Sequence, residues 1–382
     1  MTLMKYNKIR LMIITQSERG GLRRYITDII DGLDKNKYEI ALAYNSDYGD
    51  QRFKDWIRKN QNNHQIKFFD IKTFVREISL INDLKAYRYL LKCIDNFKPT
   101  IVHVQSSKAG VIGRLAAKIK HIKQIYYTPH AYSFLSPEFS VIKRHIFILI
   151  EKTLSRHFTT FTFNVSQTEK EAALKYKIDQ SNKFVVIPNG IPPLKKNYRS
   201  YARSEMGAAT KEVVIGNVAR FSNQKNPQLF VSIAIEALKQ TKGLKFVWVG
   251  SGELMKEMQS LVKNAAIEKS FIFLGDRNDA EYLMDGFDVY LATSNFEGFS
   301  YSLLEAARAK LPVVASKVPG IIDFADIYQN TYLFNLHDSV NSICDLLCKS
   351  IVDLNTSVNT KVSFSYSDML NKITDYYENK EN

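Results

Sequence analysis

The chain has 382 residues, 45% of them hydrophobic and 12% aromatic, which is enough apolar material for two buried cores at a length where one core stops growing. Its formal charge is +14, from 53 Lys and Arg against 39 Asp and Glu. No stretch approaches the roughly 18 to 20 consecutive apolar residues of a membrane span, and Cys93, Cys344 and Cys348 supply neither an even disulfide framework nor, with histidine, a metal-ligand spacing. Free thiols of this kind point to a reducing cytoplasm.

The apolar run at 8–15 is too short for a signal peptide and lacks a small-residue cleavage site, so it reads as a first strand. Short apolar runs predict strands at 9–15, 39–44, 67–69, 101–104, 124–128, 161–165 and 184–187, with helices starting near Leu22, Ile81, Gly110, Val141 and Thr168. Turn residues and prolines crowd 188–196, and the expected domains are therefore 1–190 and 191–360. Beyond that linker, strands at 213–218, 245–249, 272–274, 289–292 and 312–315 alternate with helices near Pro227, Leu254, Ala280, Ser302 and Gly320. Continuously apolar strands belong to parallel sheets covered on both faces, so the expected fold is α/β, with two Rossmann-like doubly wound domains. Cys344 and Cys348, one helical turn apart, read as core thiols. The polar segment 361–382 has helical spacing at Leu370, Ile373 and Tyr377.

The charge is unevenly spread. Residues 1–200 hold 35 Lys and Arg against 17 Asp and Glu, or +18, and residues 201–382 hold 18 against 22, or −4. Nucleic acid and an anionic membrane surface both attract a basic face. The segment 141–158 is both basic and heavily apolar, as is 113–120, which favours the membrane interface over nucleic acid, although a buried helix with a solvated basic edge accounts for 141–158 nearly as well.

Several strand ends carry candidate chemistry. Gly20 and Gly21 follow the first strand and let backbone approach a phosphate or sugar, though a strand-to-helix turn wants glycine anyway. His103 and His130 end two strands of the same half, and His130 is the sharper candidate for a hydrogen bond to a sugar hydroxyl. Arg220 and Lys225 follow the first strand of the second half, where ligands of open α/β sheets bind, and together suit a diphosphate. Gly250 and Gly252 suit the approach of a nucleotide to backbone, with Glu253 either capping the next helix or touching the nucleoside. Arg277 lies in a strand-end segment expected beside the base. Finally, Glu297 and Glu305 flank Gly298, Phe299 and Ser300, so that one carboxylate sits on a loop and the other in the first turns of the helix it feeds. A helix N-terminus between two acceptors suits a phosphate with hydroxyl-bearing groups on either side.

The Glu297–Glu305 stretch resembles the E-x7-E motif of family-4 retaining glycosyltransferases, and Arg220 with Lys225 resembles the arginine–lysine pair of that family. The His130 loop is similar to that of members which build capsular and exopolysaccharides, and Gly20-Gly21 matches the position of the glycine-rich loop. Arg23 departs from the pattern, since an acidic residue is frequent there. The resemblance implies the GT-B architecture, with the two domains facing a cleft and a last helix crossing back to the first domain. It further implies a nucleotide-sugar donor, UDP-linked above all, with Glu305 on ribose, Arg220 and Lys225 on diphosphate, and Glu297 on sugar hydroxyls assisted by the backbone of Gly298, Phe299 and Ser300. It also implies retention of anomeric configuration and a lipid-linked saccharide acceptor entering past Gly20, Gly21 and His130.

No carboxylate nucleophile is evident for a double displacement, so a front-face reaction is expected. In it the leaving diphosphate, held by the two cations, takes the acceptor proton. The cations replace a metal, and no Asp-x-Asp motif ends a strand, so no cofactor and no metal are expected. The expected location is the cytoplasm, at the inner face of the membrane. A nucleotide-sugar epimerase of the same architecture and a non-catalytic polysaccharide-binding protein stand as alternatives.

Overall fold

The computed structural model describes residues 8–16, 19–75, 77, 79–136, 139–194, 196–355 and 364–379. Lys195 of the linker and residues 361–363, where the terminal segment is expected to begin, lie outside the described residues. The chain divides into two compact units, Met1–Asn189 with Ser367–Asn382, and Gly190–Tyr366.

The first unit is built on strands β1 (Ile9–Ile14), β2 (Tyr38–Tyr44), β3 (Ile66–Asp70), β4 (Ile101–Gln105), β5 (Gln124–Thr128), β6 (Phe161–Asn164) and β7 (Phe184–Val186). The second contains β8 (Val213–Val218), β9 (Leu244–Val249), β10 (Phe271–Gly275), β11 (Val289–Ala292), β12 (Val313–Ser316) and β13 (Thr331–Phe334). Their spatial orders are β3-β2-β1-β4-β5-β6-β7 and β10-β9-β8-β11-β12-β13. Pairing is parallel throughout, for example Leu11 with Ile101 and Val289 with Ile215. Each order reverses once, between β1 and β4 and between β8 and β11, and an open α/β sheet places its ligand crevice at such a reversal.

Burial explains the continuous apolar strands. In β1 the run Leu11–Ile14 is fully buried, and in β9 Phe246, Val247 and Trp248 are buried as well, because helices cover both faces. The helix Tyr366–Tyr377 returns its C-terminal end to the first unit, where the Tyr377 hydroxyl lies 2.6 Å from His103 Nδ1 and Tyr126 donates to the Tyr376 carbonyl at 2.6 Å. The first core also holds an ion pair. Arg114 is wholly buried, donates to Glu151 Oε2 at 2.8 Å, and lies 3.9 Å from the ring centroid of Tyr127.

Among the described residues, the strand β13 and the α-helices Gln51–Asn60, Arg199–Glu205 and Val340–Val352 go beyond the sequence reading. The Gln51–Asn60 helix buries only Phe53, so its apolar stripe is too thin to show as a helical period. On the Val340–Val352 helix Cys344 is buried and Cys348 half-buried, so only the first is a core thiol.

Candidate active site

The second unit brings Lys225 and Glu297 together at the β8/β11 reversal. The loop after β8 ends in Asn226, whose left-handed backbone (φ 47°) and side chain cap the helix Pro227–Gln240 by accepting from Leu229 N at 3.3 Å. The loop after β11 is stitched to it. Asn295 N donates to the Gln224 carbonyl at 2.8 Å, Asn295 Nδ2 to the Asn223 carbonyl at 2.7 Å, and Thr293 Oγ1 to the Asn226 carbonyl at 2.9 Å. This lattice aligns Lys225 with Glu297 in an ion pair, and Ser294 Oγ adds a second donor to the same Glu297 oxygen at 2.7 Å. The Glu297 side chain is 7% exposed and that of Lys225 19%, so the pair is screened little by solvent.

Arg220 pairs with Glu253 at 2.9 Å, and both side chains are about half exposed, which makes this contact easy to exchange for another anion. Gly250 and Gly252 have a packing role. A Cβ on Gly250 would lie 2.0 Å from the Ala219 carbonyl and one on Gly252 2.3 Å from that of Phe221, so the glycines admit the loop that carries Arg220. Gly320 does the same for the Glu297 loop: its φ is 73°, and a Cβ would lie 1.8 Å from the Gly298 carbonyl. Phe299 is buried, with its ring 6.4 Å from that of Phe364. Ser300 stands at the N-terminus of the helix Tyr301–Arg308 without a side-chain cap, its hydroxyl 3.0 Å from that of Ser302, and Glu305 is buried in that helix.

Arg277 belongs to a different cluster. It donates to Asp279 at 2.9 Å and to Glu205 at 2.7 Å, and these bonds, that to Asp279 foremost, raise its pKa; the same contact with Arg277 is the largest cause holding the Asp279 carboxyl below the usual range.

In the first unit, the helix Gly20–Gly32 opens on Gly20 in the left-handed region (φ 55°), which glycine tolerates. Gly21 follows inside the first turn. Arg23 is paired with Asp50 at 3.0 Å, and Gly20 N donates to the same carboxylate at 3.3 Å. His130 follows β5 with φ 53° and precedes Ala131 with φ 80°, two consecutive non-glycine residues in a disfavoured region. A side chain absent from the sequence reading holds this strained pair: Glu169 Oε1 accepts from Ala131 N at 2.7 Å, while its other oxygen accepts from Val165 N at 2.8 Å. The Ser166-x-x-Glu169 spacing looks like an ordinary helix capping box, which hides that role.

The His130 ring lies edge-on to Tyr25 with centroids 4.6 Å apart, and its Nε2 is 2.8 Å from Gln105 Oε1. With that oxygen as acceptor, Nε2 carries the proton and Nδ1 is left as the acceptor. Burial lowers the His130 pKa to about 3, so the imidazole is neutral at physiological pH. His103 is buried deeper, between Tyr377 and Thr128, and acts in the core. Among the described residues, no group of three or more His, Cys, Asp or Glu side chains is placed to hold a metal ion, and no helix is long and apolar enough to cross a membrane.

The family model "Glycosyltransferase Family 4" matches residues 19–193, and "Glycosyl transferases group 1" matches 212–353. The UDP-Gal:alpha-D-GlcNAc-diphosphoundecaprenol alpha-1,3-galactosyltransferase of Escherichia coli is 30% identical over 267 residues, 67% of each chain. The chain is a family-4 glycosyltransferase. A second relative of this glycosyltransferase, the putative glycosyltransferase EpsD of Bacillus subtilis, is 24% identical over 264 residues, 67% of this chain and 69% of that one. The crystal structure of HepE of Anabaena in complex with UDP and glucose matches with a TM-score of 0.75 over 97% of this chain and 100% of that one. At 20% identity that likeness is one of fold, two Rossmann-like domains of the GT-B class. A glycosyltransferase of polysaccharide biosynthesis therefore replaces the epimerase and binding-protein alternatives.

Proposed function

We propose that this glycosyltransferase moves a hexose or N-acetylhexosamine from a UDP-sugar to a growing lipid-linked saccharide of a capsule, exopolysaccharide or wall polymer, with retention of anomeric configuration. The observation that carries the reading is the Lys225–Glu297 pair at the β8/β11 reversal. A cation and a carboxylate held side by side, both largely shielded from water, form a preorganised site for a departing phosphate next to polar hydroxyls. Lys225 and Arg220 neutralise the diphosphate, and the uncapped N-terminus of the helix Tyr301–Arg308 adds its N–H groups and dipole. Glu297, assisted by the backbone of Gly298, Phe299 and Ser300, holds sugar hydroxyls, and Glu305 holds the ribose.

Gly250 and Gly252 keep the Arg220 loop against the strand ends that receive the nucleotide. Arg277 serves the base side through the Asp279 and Glu205 cluster rather than by a free guanidinium. In the first unit, Gly20, Gly21 and the neutral His130 serve the acceptor and a sugar hydroxyl.

The chemistry runs on the donor's own face. The bond from anomeric carbon to the diphosphate oxygen breaks, the acceptor oxygen bonds to the same carbon, and its proton passes to the leaving phosphate. No metal and no cofactor enter this scheme. The E. coli relative, whose name specifies UDP-Gal and a diphosphoundecaprenol-linked GlcNAc, supports both the donor class and the lipid-linked acceptor. The basic first 200 residues support attachment to an anionic membrane from the cytoplasmic side, and no nucleic acid is involved. The test is a metal-free transfer assay with UDP-hexoses and a synthetic lipid-diphosphate acceptor, followed by NMR of the product. An α-linkage from an α-linked donor supports the reading, and a β-linkage overturns retention.

A further inference from the structure

The helix Val141–Phe158 shows water an aliphatic stripe that needs covering. Ile142 is 74% exposed, Ile146 51% and Leu149 65%, and their spacing of four and three residues puts them on one line along the helix. This orientation is fixed from inside. Glu151, on the opposite side of the same helix, is bound to the buried Arg114 and accepts from the Tyr127 hydroxyl at 3.2 Å, so the helix cannot rotate the stripe inward without burying an unpaired charge.

Beside the stripe runs a groove of about 350 Å³ between this helix and the turn that ends the helix Gln167–Lys175. Four of its eight lining residues are cations, namely Arg144, Lys152, Lys175 and Lys177, and none is acidic. Val141, Ile148 and Tyr176 add apolar lining. Arg144 is braced by its Nε bond to the Phe139 carbonyl at 3.0 Å, and Lys177 is presented from a left-handed backbone with φ 52°.

A concentrated positive groove flanked by exposed aliphatics complements one surface well. Phosphates meet the cations while methyl groups enter the boundary between headgroups and acyl chains. We propose that this groove seats the phosphate of an anionic phospholipid, with Ile142, Ile146 and Leu149 inserted beside it, and that it is the membrane-docking site of the enzyme. The inference rests on the membrane attachment proposed above and gives it a location. None of its lining residues is among those assigned to the donor.

The experiment is co-sedimentation of the full chain with phosphatidylcholine vesicles, with and without phosphatidylglycerol. Wild type is compared with Lys152→Glu/Lys177→Glu, with Ile142→Asp/Leu149→Asp and with the conservative Lys152→Arg/Lys177→Arg, and UDP binding checks that each variant is folded. Wild type binding only to the anionic vesicles, a loss of about tenfold or more in both disruptive variants, and near-full binding of the Arg variant are expected. If wild type binds anionic vesicles and the disruptive variants bind equally, the groove assignment falls while membrane attachment stands. If wild type binds neither vesicle, both fall. Equal wild-type binding to both vesicles removes the phosphate seat.

Discussion

Lys225 with Glu297 in the second unit and His130 in the first occupy similar stations, loops leaving the carboxyl ends of parallel strands, yet they are held in opposite ways. The first is an ion pair carried on two loops stitched together by hydrogen bonds, one of them ending in the left-handed helix cap Asn226. The second is a neutral ring on strained backbone, 2.8 Å from Gln105 and tied through Ala131 to the buried Glu169. Charge that is paired in the resting protein is ready to be exchanged for a ligand's charge. A neutral imidazole offers direction only. In the proposed reaction the second unit therefore supplies the electrostatics of leaving-group departure, and the first supplies orientation.

Lys225→Ala gives the strongest test of that division. It removes a positive charge from the leaving phosphate and strands Glu297, so turnover should drop about 10²- to 10³-fold, measured as kcat at saturating donor. Glu305→Ala comes next, and should weaken donor binding about ten- to hundredfold by calorimetry with UDP, while kcat at saturation changes by a few-fold only. His130→Asn should reduce kcat/KM by about tenfold, the loss of about one neutral hydrogen bond to the substrate. With its pKa lowered to about 3, His130 also cannot supply a titration near neutral pH. A pH–rate limb near 6.5 that vanished in this variant would place a protonated imidazole in the reaction and break the comparison.

A separate effect is on folding. His103 and His130 both have native pKa values lowered to about 3 by burial. The unfolded chain therefore binds more protons between about pH 3 and pH 6.5, and stability is full above that window and falls within it on acidification. Each histidine contributes a slope of about 1.4 kcal/mol per pH unit. Urea midpoints at pH 7 and 5.5 should show the decline, and His103→Gln should shallow it.

The sequence carries most of the strand ladder because most strands are short and largely apolar runs, and the charged loops because they follow those runs directly. Less local features are hidden. Lys225 and Glu297 are 72 positions apart, and nothing in either segment announces their pairing. Arg277 reads as part of a loop beside a base, and nothing near it announces its bond to Glu205, 72 positions upstream. Glu169 passes for a capping residue, and β13 has only four residues, three of them half-buried, too few to show a period.

The central proposal is that the second unit takes the donor nucleotide without a metal, its diphosphate through Arg220 and Lys225 and its ribose through Glu305. Thermal unfolding with UDP in EDTA, on wild type, Lys225→Ala and Glu305→Ala, tests it directly. UDP at 100 times its dissociation constant should stabilise wild type by about 2.7 kcal/mol, and much less in either variant at the same concentration. No shift in wild type, or an undiminished shift in both variants, would contradict the assignment.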